Sequence, residues 1–342
     1  MTDQEEGIPE RVKRHRKTVA RTIRDYVRNR DGRLHDMIRY HLGFEAADGS
    51  GGLKGKAIRS SLALFTANAL GGDPEEVLPA AVSLELIHNF SLVHDDIQDD
   101  AGKRRGRASV QNKWGPDQAI NAGDGLKDLS TLALIEIGNG TNPARDLAAL
   151  DALGNYSLRM IQGQVGDLYY AERDEADVDG YLEMIENKTC ALLEAPFHLG
   201  AIYSDLEDSG RLTSFGRLLG YVYQIRDDWL GIWGEPEKSG KSADSDLIEK
   251  KMSFPVVYAL QNGEGRSLER LQELYFRDQV LGESEVEAVR LALEEIGAKQ
   301  ATNRRAEVYW QEARKELEKT DLAEWAKSDL EDFGTFLLNR KK

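Results

Sequence analysis

Apolar positions recur every three to four residues through long stretches of the chain. In 76–94 (EVLPAAVSLELIHNFSLVH) and 285–297 (EVEAVRLALEEIG) they mark faces of amphipathic helices. Nowhere do short runs of β-branched residues alternate with polar ones between turn signals, so no sheet is predicted. Gly-, Pro-, Ser- and Asp-rich breaks fall at 45–55, 71–74, 138–143 and 234–246, and each reads as a loop. None is long enough for an interdomain linker. The expectation is one all-α domain over 1–342: a basic N-terminal helical region at 1–45, and further helices at 265–342.

Composition narrows the chemistry. The chain has 342 residues, with 45 Lys and Arg against 60 Asp and Glu, a formal charge of −15. That balance argues against nucleic acid as a partner, because such binding rests on neutralised phosphates. The single cysteine, Cys190, makes neither an internal disulfide nor a thiolate metal site. No uninterrupted apolar run approaches the ~18 residues of a membrane span. The N-terminus lacks the apolar core of a signal peptide, and a cytoplasmic location is expected. Residues 11–33 run against the overall charge, with an apolar stripe of Val12, Val19, Ile23, Tyr26 and Val27. A solvated basic face packed by that stripe is preferred over a membrane- or diphosphate-binding one.

Two acidic clusters carry the functional signal. In His94-Asp95-Asp96-Ile-Gln-Asp99, a helix would project Asp95 and Asp99 from one face, with Asp96 about 100° round. Facing carboxylates repel unless a cation neutralises them, and an all-oxygen set suits Mg²⁺, which also takes substrate phosphates. Asp227-Asp228, after an apolar run, is a second such pair. Lys56 and Arg59, Arg104 and Arg105, Lys188, Lys241 and Lys251 would complete a site for a polyanion. Gly240-Lys241-Ser242 is not a P-loop end, since its upstream glycine is Glu235.

These pieces in this order resemble the trans-isoprenyl diphosphate synthases, the polyprenyl synthetase family, over about 50–260. Asp95-Asp96-Ile-Gln-Asp99 matches the first Asp-rich motif and Arg104-Arg105-Gly106 the arginine pair after it. Gly55-Lys56-Ala57-Ile58-Arg59 and His88 match elements upstream. Gly163-Gln164 with Asp167, Lys188-Thr189, Tyr223 to Asp228, and Gly240-Lys241 with Asp246 and Lys251 match elements downstream. Departures are Gly231 for the third Asp of the second motif, Ala57 for an Arg, Ser60 for a Pro and Ala108 for a Pro.

The resemblance implies the isoprenoid synthase type I fold, an antiparallel helical bundle around a deep cavity, usually as a homodimer. It implies Mg²⁺-dependent head-to-tail condensation of isopentenyl diphosphate with an allylic diphosphate. Asp95, Asp96, Asp99, Asp227 and Asp228 would hold the metal, a cluster of three ions when diphosphate is bound. Arg104, Lys188, Lys241 and Lys251 would bind the allylic diphosphate; Lys56, Arg59, His88 and Arg105 would bind isopentenyl diphosphate. Thr189 and Gln224 would face the allylic cation, and 234–246 would form a lid. Phe90, with small Ser91 after it, points to geranylgeranyl diphosphate as product. Farnesyl diphosphate is the runner-up, and a class I terpene cyclase is the remaining alternative. His94 is expected to be structural.

Overall fold

The computed structural model describes residues 7–44, 51–171, 177–204, 209–234, 245–277 and 279–341. Its helices are α1 (Glu10–Lys13), α2 (His15–Arg28), α3 (Arg33–Leu42), α4 (Ile58–Ala69), α5 (Pro74–Gln98), α6 (Val110–Trp114), α7 (Pro116–Gly138) and α8 (Pro143–Ala171). Then follow α9 (Val178–Ile185), a π-helical turn (Glu186–Cys190), α10 (Ala191–Ile202), α11 (Ser209–Trp233) and α12 (Ser245–Ile248). The last are α13 (Phe254–Asn262), α14 (Gly265–Tyr275), α15 (Glu283–Ile296), α16 (Ala298–Glu318) and α17 (Glu324–Asn339).

The architecture is all-α, as expected, with one unforeseen detail. Lys103–Arg104 and Arg107–Ala108 pair as a minimal antiparallel hairpin. Its two turn residues, Arg105 and Gly106, both have positive φ (52° and 77°). Such a turn needs the left-handed region twice, which a glycine makes easy at one position.

Helix α5 is the axis of the fold. Asp73 caps it by accepting from the Glu75 N–H at 2.9 Å, and Pro74 opens the first turn. It packs against α4, α7 and α10. Val77, Ala80, Ala81, Leu84 and Ile87 are buried around its circumference. By length and composition it could cross a membrane, but 72% of its most apolar window is buried inside the protein, which makes it a core helix. Its polar end carries the first acidic cluster.

The basic N-terminal region resolves as the solvated-face reading. Val19, Ile23 and Val27 are fully buried in the main core, and Val12 joins a second cluster with the C-terminal helix. Arg16 donates to the carbonyls of Leu53 and Gly55, pinning the loop that leads into α4. Arg11 reaches Asp329 at 3.1 Å, tying the first helices to α17.

Candidate active site

The two acidic clusters are brought together through adjacent residues of the π-helical turn. Lys188 Nζ pairs with Asp167 on α8 and lies 3.8 Å from Asp95 on α5. Thr189 Oγ1 donates to Gln224 Oε1 on α11 at 2.7 Å, and Gln224 Nε2 donates to Asp228 at 2.9 Å. Burial alone would depress Lys188, but Asp167 and Asp95 outweigh it and raise its pKa. Glycines allow this turn to sit so deep. A Cβ on Gly163 would lie 2.1 Å from the Lys188 amide nitrogen, and one on Gly220 would lie 2.5 Å from Cys190 Cα. The Gly-Gln pair therefore matters for the approach of α8 to backbone, as well as for any polar role of Gln164.

On the α5 wall, Asp95 is half-buried, Asp96 buried and Asp99 at the exposed helix end. Arg104 grips the first two, with Nε 2.8 Å from Asp96 Oδ1 and a terminal nitrogen 3.4 Å from Asp95. Burial raises the pKa of Asp96 and of Asp99, opposed by Arg104 at Asp96; Asp95 adds to the rise at both. Asp96 Oδ2 is buried with no hydrogen-bond partner. An unpaired buried carboxylate oxygen is costly and marks a place for a cation. Among the described residues no three His, Cys, Asp or Glu side chains converge into a cage. The donor set therefore fits a hard cation held by one or two carboxylates together with substrate phosphates, the habit of Mg²⁺.

The α11 wall differs between its two carboxylates. Asp227 is half-exposed and engaged by Arg340 at 2.6 Å, an arginine that also donates to the Tyr223 carbonyl. Asp228 is buried and saturated, receiving the Tyr181 hydroxyl, the Phe254 N–H at 2.7 Å and Gln224. Burial pushes its pKa up to about 7 despite those donors. Asp228 thus holds α9 and α13 against α11, while Asp227 stays half-exposed. Gly231, one turn beyond Asp227, has its side-chain space filled: a Cβ there would lie 1.9 Å from the Asp246 carboxylate. Asp246 is buried, with Lys251 at 3.8 Å. Lys251, raised by Asp246 and Glu249 against the effect of burial, also feels the charge of Asp99 at the end of α5.

The third group of cations sits at the base of α4. Arg59 places a terminal nitrogen 3.4 Å from His88 Nε2, and its own Nε is buried without a partner. Burial, then Arg59 and Arg105, drives the His88 pKa well down, so its imidazole is neutral. Arg105, turned away from Arg104 by the hairpin, donates to the Lys54 carbonyl. Lys56 Nζ lies 5.9 Å from the Phe336 ring. Lys241 and 235–244 of the expected lid fall outside the described residues.

Phe90 is buried in the main core, edge-on to His94 with ring centroids 5.0 Å apart, and the half-buried Ser91 bonds back to the His88 carbonyl. His94 packs onto Gly123 and the Ile120 carbonyl of α7, a structural placement. Tyr181, Arg340, Glu85 and Asn89 were not singled out from the sequence, and only tertiary contact reveals them.

Comparison with known proteins identifies the family. The polyprenyl synthetase family model covers residues 45–296. The chain belongs to the polyprenyl synthetase family. Among its relatives, a (2E,6E)-farnesyl diphosphate synthase of Mycobacterium bovis is 35% identical over 77% of each chain. A geranylgeranyl diphosphate synthase of Mycobacterium tuberculosis is also 35% identical, over 80% of this chain and 78% of its own. A polyprenyl synthetase crystal structure from Streptomyces coelicolor A3(2) superposes with TM-score 0.86 at 34% identity, covering 95% of this chain and 98% of that one. A geranylgeranyl pyrophosphate synthetase from Pyrococcus horikoshii gives 0.86 at 30%, covering 99% and 100%. As a polyprenyl synthetase the protein is a prenyl-transferring enzyme, and relatives of both product lengths are equally similar to it.

Proposed function

We propose that the protein condenses isopentenyl diphosphate with an allylic diphosphate in a Mg²⁺-dependent reaction, with geranylgeranyl diphosphate as product. The supporting observation is the chain Asp95–Lys188–Thr189–Gln224–Asp228, which draws both acidic clusters and the cationic turn into one site. Asp95, Asp96, Asp99 and Asp227 would hold Mg²⁺, whose positive charge stabilises the departing diphosphate. Asp228 supports that wall from behind.

Arg104, Lys188, Lys241 and Lys251 bind the allylic diphosphate; for Arg104 this means leaving Asp95 and Asp96. Lys56, Arg59, His88 and Arg105 take isopentenyl diphosphate. The partnerless Nε of Arg59 suits an incoming anion. Thr189 and Gln224 turn oxygen atoms toward the allylic carbon, where positive charge grows as the bond to diphosphate breaks. The nucleophile is the isopentenyl double bond, and the released diphosphate carries off the proton. Water must stay out, or the cation becomes an alcohol. The cationic subsite around Arg59 favours a synthase over a cyclase, which needs no second diphosphate.

We place the enzyme in the cytoplasm as a homodimer. The partner copy would cover the apolar face of α7 and α8, where Ile135, Leu147, Leu158, Val165 and Tyr169 are more than half exposed. For product length, Phe90 sits five residues before Asp95, a rise of about 7.5 Å along α5, and closes the space for a growing chain. Incubation with Mg²⁺, labelled isopentenyl diphosphate and dimethylallyl, geranyl or farnesyl diphosphate, read by mass spectrometry against an EDTA control, tests this. A C20 product supports the reading and a C15 product moves it to farnesyl diphosphate. Loss of the allylic substrate to hydrocarbon without incorporation would make it a cyclase. Phe90→Ala should lengthen the product.

A further inference from the structure

Behind the Arg59 subsite lies a buried acid that no step above uses. Glu85, on α5 one turn before Asn89, is 2% exposed. Ser60, fully buried beside Arg59, donates to Glu85 Oε2 at 2.8 Å. Asn89 Nδ2 donates to the Glu85 carbonyl at 2.8 Å and lies 3.5 Å from its carboxylate. With its amide so oriented, Asn89 Oδ1 accepts from His41 Nε2 at 3.2 Å. Burial, then Arg105 and Arg104, brings the His41 pKa down to about 3, so this imidazole is neutral and adds no charge.

In the interior the Glu85 carboxyl group is thus held by neutral donors. Among the described residues no Lys or Arg nitrogen reaches ion-pair distance of it. Its field nevertheless acts on Arg59 and Arg105, opposing the destabilisation that burial imposes on both guanidinium groups. Ser60 stands where the family resemblance expects proline. Proline has no hydroxyl, so the serine is what supplies the carboxylate with its shortest hydrogen bond.

We propose that Glu85 is a positioning residue that sets the charge of the isopentenyl diphosphate subsite, standing in for the anion while the site is empty and weakening diphosphate binding when it is filled. The proposal rests on the assignment of Arg59 and Arg105 to that subsite. After each condensation the elongated product keeps the diphosphate that isopentenyl diphosphate brought there, while inorganic diphosphate leaves from the allylic side. A cluster of desolvated cations with no counter-charge would retain that elongated product. Two unit charges roughly 10 Å apart at an effective dielectric constant near 20 change affinity by about tenfold, enough to tip the balance from retention to release.

Steady-state kinetics on the full chain test it, with saturating allylic diphosphate and inorganic diphosphate as inhibitor against isopentenyl diphosphate. Glu85→Gln keeps shape and an acceptor for Ser60 but loses the charge; Glu85→Met is a second uncharged variant should the first not fold. In both, the inhibition constant of diphosphate and the KM for isopentenyl diphosphate should fall about tenfold, with the allylic KM unchanged. Glu85→Asp should keep wild-type values. A merely structural role would instead raise both KM values and lower kcat. Unchanged or weaker diphosphate binding in the uncharged variants overturns the proposal alone. Failure of diphosphate to compete with isopentenyl diphosphate in the wild type overturns the subsite assignment and the proposal with it.

Discussion

Two glycines on α8 make a matched experiment. At Gly163 an added Cβ meets only backbone: Lys188 N at 2.1 Å, Lys188 Cα at 2.5 Å and the Asn187 carbonyl carbon at 2.7 Å. Ordinary carbon contacts begin near ~3.5 Å, so α8 and the π-helical turn must separate by about 1 Å. No flexible side-chain end is available to give way. Overpacking of this kind costs about 1–3 kcal/mol. A displacement of ~1 Å in Lys188 and Thr189 costs about 100-fold in rate.

Gly154, on the same helix, would meet nothing within 4 Å. Gly154→Ala should therefore stabilise the fold by about 0.5–1 kcal/mol through helix propensity alone, with activity unchanged. Urea unfolding followed by circular dichroism, and initial rates of labelled isopentenyl diphosphate incorporation, read both quantities. If Gly163→Ala matches Gly154→Ala in stability and rate, the close approach has no catalytic consequence and the reasoning fails.

Other outcomes follow from single contacts. Arg340→Ala frees Asp227, so the Mg²⁺ concentration for half-maximal activity should fall about threefold or more, while lost contacts with the Tyr223 carbonyl and ring cost about 1 kcal/mol of stability; a Mg²⁺ titration that does not move would show that Arg340 does not compete. Restoring the family's third aspartate by Gly231→Asp should harm rather than help, lowering the urea midpoint and the rate, because the new side chain meets the Asp246 carboxylate; a gain in activity would refute this. His41 and His15 have folded pKa values lowered by burial, to about 3 and about 4. The unfolded chain therefore binds more protons below about pH 6.5, and stability should fall as pH drops from there toward 4; His15→Gln should flatten that decline in urea midpoints measured across the range, and an unchanged slope would contradict it.

Period and propensity carried much of this protein into view. The spacing in 76–94 and 285–297 favours helices whatever surrounds them, and the acidic clusters with their basic companions single out the candidate site for a metal and phosphate proposed above. The valine and isoleucine stripe of α2 likewise declares its buried face, leaving the arginines to solvent and to loop carbonyls. Local sequence could not distinguish Asp227 from Asp228. Both stand at the end of one apolar run, and only the packing of Tyr181 and Phe254 against α11 turns the second into a buried anchor. The Arg105-Gly106 turn is legible from its glycine, but that it sends Arg104 to Asp96 and Arg105 to Lys54 depends on where α5 ends. Gly231 reads as a lost carboxylate until the fold shows Asp246 filling its space. Periodicity along one element determines which face is buried. What lies against that face is decided by contacts between elements far apart in the chain, where burial and charge pairing, rather than local propensity, set the energy.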